Sequence, residues 1–428
     1  MSNEVENFNK KHGNTFCIKP FTEVASTPLG AIKLCCYSGT IDAKEEYFSK
    51  DKTIKQVFSN NAGLVQARKD LLAGKKIKQC QGCWKDEEAG NNSMRIDHTQ
   101  YYDKIDPNFV QQVKQQGKIE VKSLDIKFGN KCNYACVMCA PDNSSLWGKE
   151  IQKSPIDKDL YQSKFNNFNH LVDYPEHKYD ELLEISKSLV RVKSTGGEPM
   201  LLDGFKGYIK KLVDKGYAKD MNFKTVTNGT VDCSDLLPYM NEFKKFEMDW
   251  SVDGTGEVYN YVRWPGNFNR MKRIHEKLAS EIISKNYKNI EVTMHPTIQV
   301  FNLHNIPEMI QYAKDLQIVN YVDFGYIFDE PSYLNTGVFP DKMLEDIIQE
   351  NNKKVSKIET SNKFNHSYDD IVSTIRRDQK LYNNKYNKKE LFDKTKRIAK
   401  WFDQTRKMNI HNHISTFEEL ENYYLHLQ

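Results

Sequence analysis

Three cysteines, Cys132, Cys136 and Cys139, stand close together in the stretch KCNYACVMCA. Thiolates are soft, strongly donating ligands that suit zinc or iron–sulfur clusters. Three of them make an odd number for disulfides and fall one short of a closed tetrahedral site. The C-x3-C-x2-C spacing lets one short loop wrap three corners of a cubane and leave its fourth iron open to a substrate or cofactor. A zinc ion completed by a distant histidine, or three unrelated structural cysteines, would use the same residues.

A second stretch, KSTGGEPML, is built to meet a ligand. Gly196 and Gly197 carry no Cβ, so the backbone can approach a bound group closely. Pro199 biases Glu198 away from helical geometry and so aims its carboxylate. That carboxylate suits an ammonium through a charge-assisted hydrogen bond. A plain turn punctuated by glycine and proline is the alternative.

The remaining cysteines are grouped. Cys17, the pair Cys35 and Cys36, and the C-x2-C pair Cys80 and Cys83 precede the trio. Four thiolates saturate one 4Fe–4S cluster or one structural zinc, and spacing leaves both open. Adjacent residues on a strand point to opposite faces, so only one of Cys35 and Cys36 is expected to reach a metal. Cys233 stands alone and reads as a small, partly buried apolar residue.

The elements that must position these groups divide the chain into three parts. Residues 1–118 look loop-rich, with a helix around AGLVQARKDLLAG. Over residues 119–335, strand-like runs (VKSLDIKF, LVRVKST, MNFKTVT, FEMDWSV, NIEVTMHPTIQV, YVDFGYIF) alternate with helical ones. That alternation predicts parallel βαβ units, hence an α/β barrel or open sheet. The cysteine trio follows the first strand and GGEP the second, at the strand ends where such folds gather ligands. Residues 336–428 are charged and mainly helical, and residues 151–180 look like an insertion.

Composition bounds the class. The 428 residues are 39% hydrophobic and 28% charged, with a net charge of +4, as in a soluble globular protein of two or three domains. Basic residues are spread among acidic ones, so no nucleic-acid partner is expected. The opening MSNEVENFNKKHGNT has no signal-peptide character, and no apolar run is long enough for a membrane span. A cytoplasmic location is expected. Nine cysteines in that reducing compartment point to metal or catalysis more than to disulfides.

The cysteine loop after the first strand and GGEP on the second together resemble the radical S-adenosylmethionine (radical SAM) superfamily. The resemblance implies a partial (βα)6 barrel. It implies that Cys132, Cys136 and Cys139 hold a 4Fe–4S cluster whose open iron is chelated by the amino and carboxylate groups of SAM. Gly196, Gly197, Glu198 and Pro199 match the family motif that meets the SAM ammonium. Met138 stands where the family usually has an aromatic residue near the adenine, and its thioether can fill that place. Further positions follow the family pattern: Thr227 and Asn228 beside the cofactor, Ser251 and Asp253 near the ribose, Arg263 toward the SAM carboxylate, and Val300 against the adenine. Asn-Gly and Asp-Gly turns, a surface salt bridge at Arg263 and an ordinary core valine are the competing accounts. The chemistry implied is reductive cleavage of SAM to a 5′-deoxyadenosyl radical that abstracts hydrogen from a substrate. An outside electron donor, flavodoxin or ferredoxin, is implied with it.

The N-terminal spacing Cys17-x12-Gly30-x4-Cys35 is similar to the opening of SPASM and twitch auxiliary-cluster modules. That resemblance favours Cys35 over Cys36 and implies a second 4Fe–4S cluster on Cys17, Cys35, Cys80 and Cys83. SPASM modules usually follow the barrel, whereas this one precedes it. A peptide or protein substrate is expected. A sugar, nucleotide or other small molecule is the alternative, and a non-catalytic, metal-stabilised scaffold is the reading from a different class. The segment FNNFNHLVDYPEHKYDELL either shapes the substrate side or packs over the barrel mouth.

Overall fold

Alternating burial along short β-branched and aromatic runs builds the strands of the computed structural model. It describes residues 3–28, 30–46, 51–88, 90–157, 160, 174–327, 331–359 and 362–426. Two compact units separate, one of residues 1–130, 172–224 and 242–244, the other of residues 131–171, 225–241 and 245–428. Most of the aromatic-rich segment after residue 160 lies outside the described residues.

The first unit holds β1 (Glu23–Ser26), β2 (Ala31–Lys33), β3 (Thr40–Glu46), β4 (Ser123–Lys127) and β5 (Arg191–Thr195), in the order β5-β4-β1-β2-β3. Strands β1, β4 and β5 run parallel, while β2 and β3 add an antiparallel meander. Strand β6 (Asn222–Thr227) begins in this unit and ends in the other. Leu124, Ile126 and Val192 are buried. On β4 they share a face with Phe128, which stacks on Tyr179 at 5.7 Å and packs on Phe205 at 5.1 Å. Those rings come from the helices Glu176–Ile185 and Asp203–Asp214. The opposite face carries Glu23, Ser123, Asp125, Arg191 and Lys193, paired in register.

Residues 1–118 are far more helical than the loop-rich expectation. Helices Ile54–Asn60, Ala62–Leu72, Met94–Ile105 and Pro107–Gln116 dominate the stretch. Local signals explain them: Thr53 and Gln56 form a capping box, and Asn61 caps the next helix. Asp106 caps Pro107–Gln116, which stops at Gly117 with φ of 63°. Their apolar residues come singly among polar ones, so no long run announced them. Phe16, Phe21, Tyr102, Phe109 and Val113 nevertheless close a small core.

The second unit holds β7 (Lys245–Trp250), β8 (Ile290–Met294) and β10 (Val319–Val322), all parallel, in the order β7-β8-β10. Short strands β9 (Thr297–Ile298) and β11 (Gly325–Tyr326) pair separately, also parallel. Helix Phe268–Ser284 returns the chain from β7 to β8, and Ile306–Asp315 leads into β10. The C-terminal part is helical as expected, over Asp341–Val355, Asn362–Lys385, Lys388–Arg406 and Ser415–Leu425. Arg406 clamps buried Glu150 through two bonds of 2.8 and 2.9 Å, and Trp401 stacks on Trp147 at 5.7 Å. The architecture is mixed α/β with mostly parallel strand pairing. Among the described residues no helix is long and apolar enough to cross a membrane.

Candidate functional site

The cysteine trio lies in an irregular segment that the second unit holds firmly. Ala135 N–H donates to the Trp264 carbonyl at 2.7 Å and Val137 N–H to the Val262 carbonyl at 2.9 Å. Trp147 Nε1 donates to the Cys136 carbonyl at 2.6 Å. At the other side Asn228 Nδ2 reaches Asn133 Oδ1 at 2.8 Å, and Asn133 Nδ2 reaches Thr230 Oγ1 at 2.9 Å. The loop is therefore pinned to the end of β6 and to residues 262–264. Cys136 is buried, whereas Cys132, Met138 and Cys139 are half-buried. The Tyr134 N–H points at Cys132 Sγ, 3.4 Å away.

Arg263 supplies the positive charge beside this loop. Burial pushes the Cys136 thiol up, and the Arg263 guanidinium pulls it back. Arg263 Nη1 donates to Asp253 Oδ2 at 3.0 Å and to the Ser251 carbonyl at 2.9 Å. Asp253 also accepts the Thr297 N–H at 2.6 Å. Ser251 N–H in turn donates to the Thr227 carbonyl at 2.8 Å. Four positions picked from the sequence, Thr227, Ser251, Asp253 and Arg263, thus form one connected network. Both Arg263 bonds come from Nη1, and Arg263 Nε is buried without a partner among the described residues. Val300 is a buried residue whose N–H binds the Leu334 carbonyl at 2.8 Å.

The GGEP stretch belongs to the first unit. Glu198 is fully buried, and its Oε1 accepts the Met200 N–H at 3.0 Å, capping the turn Pro199–Leu201. Gly196 has φ of +126°, and a Cβ there would meet the Gly129 carbonyl at 2.7 Å. Gly197 N–H donates to the same carbonyl at 3.0 Å. The two glycines thus fit the backbone that follows β4 as well as serving a ligand. Gly196→Ala is expected to cost roughly 1–3 kcal/mol through backbone strain alone. A thermal or urea melt of that variant equal to wild type would show the strand end to be more pliable than its contacts imply.

Four N-terminal cysteines come together. Cys17, Cys35, Cys80 and Cys83 line one small pocket with Lys19, Trp84 and Arg95. The β1–β2 hairpin, turned at Thr27–Gly30 by a 2.9 Å bond, delivers Cys35. Gly82 in the C-x2-C turn makes room for the Tyr37 ring, which a Cβ would meet at 2.6 Å. Cys36 is not in that lining; its Sγ lies 3.7 Å from Met94 Sδ. Burial raises all four thiols, Cys80 up to about 12 and Cys83 to about 11. Each thiol raises its neighbours further, as Cys35, Cys80 and Cys83 do to Cys17.

Backbone N–H groups oppose that rise. Lys19 donates to Cys17, Tyr37 and Ser38 to Cys35, and Arg95 to Cys83. The four thiols would serve a tetrathiolate centre only after drawing closer, since among the described residues no group of three or more such side chains is set to hold a metal ion, and loading it would release protons. The Arg95 side chain braces the pocket. It donates to both Glu87 oxygens at 2.6 Å and to the Phe16 carbonyl at 3.1 Å. Sequence reasoning did not single out Arg95, Lys19, Asn133 or Arg406. Asn133 and Arg406 find their partners far along the chain, whereas Lys19 meets Glu23 four residues on and Arg95 meets Glu87 eight residues back, local ion pairs that mark no site by themselves.

Residues 126–316 match the family described as the radical SAM superfamily. Among solved structures the chain is similar to SuiB of Streptococcus suis bound to precursor peptide SuiA, at 10% identity and a TM-score of 0.40, covering 69% of this chain and 64% of that one. It is also similar to coproporphyrinogen III oxidase (HemN) from Escherichia coli, a radical SAM enzyme, at 11% identity and a TM-score of 0.33, covering 64% and 56%. In both cases less than two thirds of the other protein is spanned. No curated protein matches the chain. The family match thus spans residues 126–316, a little under half of the chain.

Proposed function

We propose that this enzyme binds SAM at a 4Fe–4S cluster held by Cys132, Cys136 and Cys139 and acts on a peptide or protein. The observation that carries the proposal is the pinned three-cysteine loop with Arg263 beside Cys136, inside the matched radical SAM segment. When bound, the cluster and SAM supply one-electron cleavage to a 5′-deoxyadenosyl radical and hydrogen abstraction. The protein's own residues orient and charge-balance these groups. Arg263 offsets thiolate charge at Cys136 and keeps Ser251 and Asp253 in place. Met138 and Val300 supply apolar contact for an adenine, and Thr227 and Asn228 polar contact beside it. Asn228 does so while fixing the loop through Asn133.

A second, fully ligated 4Fe–4S cluster on Cys17, Cys35, Cys80 and Cys83 is part of the same proposal. The N-terminal module, residues 1–118, would then relay electrons from a flavodoxin or ferredoxin to a radical SAM core of residues 119–335, with residues 336–428 as a helical extension. The resemblance of the cysteine spacing to auxiliary modules supports the peptide substrate.

Glu198 gives a test of SAM binding that spares cluster assembly. In Glu198→Gln the amide oxygen still accepts the Met200 N–H, so the turn survives, while the charge facing the SAM ammonium is lost. SAM affinity is expected to fall by roughly 1–3 kcal/mol with iron and sulfide unchanged. Affinity equal to wild type in a calorimetric titration would reduce Glu198 to a capping residue.

A further inference from the structure

The sheet face turned away from the helices Glu176–Ile185 and Asp203–Asp214 and toward His98 of the helix Met94–Ile105 is charged where a core would be apolar. In parallel register, Glu23 on β1 pairs with Ser123 on β4, which pairs with Arg191 on β5. One step along, Ala25, Asp125 and Lys193 share the next row. Glu23, Ser123 and Asp125 are buried, while Arg191 and Lys193 are half-buried. Lys19 reaches into the same group and donates to Glu23 Oε2 at 2.6 Å. Apolar alternation on the other face already fixes the register. These charges are therefore not needed to build the sheet, and burying them is costly.

Lys19 also lines the four-cysteine pocket, so Arg191 and Lys193 are the cations left to this face, and its polar set is incomplete. His98 Nε2 faces Lys19 Nζ at 3.4 Å and Arg191 Nη1 at 3.5 Å. Burial first, then the charges of Lys19, Arg191 and Lys193, push His98 down to about 2, so it adds no positive charge and accepts from its neighbours. Lys193 makes no hydrogen bond or ion pair among the described residues, and Arg191 has only the histidine contact as a hydrogen bond. Glu23 Oε1 is buried with no partner. Two half-buried cations on adjacent rows want an anion with two oxygens. A buried carboxylate oxygen beside them wants an N–H. An acidic residue within a peptide offers both, a carboxylate and a backbone amide.

We propose that this face is a substrate subsite that takes an acidic residue of a peptide, with the carboxylate at Arg191 and Lys193 and an N–H at Glu23. The inference deepens the peptide assignment above and rests on it. Lys193 is three residues before Gly196, so the bound residue would lie about 10 Å along β5 from the GGEP turn.

Calorimetric titration of the anaerobically purified full chain tests it, with a Glu-containing hexapeptide and its Gln counterpart. The Glu peptide should bind roughly tenfold or more tightly than the Gln peptide. An Arg191→Gln/Lys193→Gln variant should lose that preference. Lys193→Gln alone, which breaks no hydrogen bond, should lose part of it at an unchanged melting temperature, which guards against misfolding of the double variant. Equal binding of the two peptides, no binding of either, or a preference that survives the double substitution would overturn the subsite. Glutarate binding as tightly as the Glu peptide would overturn the peptide assignment in favour of small carboxylates. Reductive SAM cleavage by wild type, measured without peptide, tests the underlying reading separately. Its absence alongside an intact charge preference would remove that reading and leave the binding face standing.

Discussion

Replacing Cys132, Cys136 and Cys139 together by alanine is expected to remove about four irons per chain and all reductive cleavage of SAM. The effect is large because the three sulfurs are the only protein ligands proposed for that cluster. The fold around them should persist. Ala135 and Val137 bind the Trp264 and Val262 carbonyls through backbone groups, and Asn133 holds Asn228 through its side chain, so the loop keeps its anchors. Iron and sulfide analysis with 5′-deoxyadenosine quantitation reads the result. Undiminished 5′-deoxyadenosine from the triple variant would end the proposed mechanism.

The second large effect is expected at the N-terminal centre. Changing Cys80 and Cys83 to alanine should cut iron to about half, from two clusters to one. The same change should open residues 1–118 to proteases, because the proposed metal–ligand bonds would join three separate stretches there. Opening should be local. The core of Phe16, Phe21, Tyr102, Phe109 and Val113 does not involve the cysteines and should hold its helices together. SAM cleavage should continue while turnover of the true substrate falls. Stoichiometric zinc in anaerobically purified wild type, with iron for one cluster only, would replace the second cluster by a structural zinc site.

The parallel strands were legible because their apolar and β-branched residues alternate in short runs bounded by turn residues. The trio and GGEP were legible because their chemistry is local, with every member inside a few consecutive residues. Cys35 rather than Cys36 lines the pocket, but strand alternation is not the reason, since both follow β2 in a bend and turn. The helices of residues 1–118 were hidden because caps such as Thr53 and Asp106 specify ends without lengthening any apolar pattern. Arg263 was legible as a cation near the site, but its bond to Asp253 was not, since the acid sits ten residues away across a strand end. The charged rows on β1, β4 and β5 were illegible for a plainer reason. Each strand contributes only one or two of those side chains, and registry alone assembles them.

The buried pair of Glu150 and Arg406 bears on how the protein is made. Glu150 lies in the helix Ser145–Lys153 that follows the cysteine loop, yet its partner is 256 residues downstream. At about 5–20 residues per second, a ribosome needs roughly 10–50 s to travel between them. During that interval the loop's flank is a nascent surface, with Trp147 lacking the Trp401 ring that later covers it. The flank of the loop is therefore completed last, once the helix Lys388–Arg406 has emerged, while Cys132 and Cys139 stay half-buried on its open side.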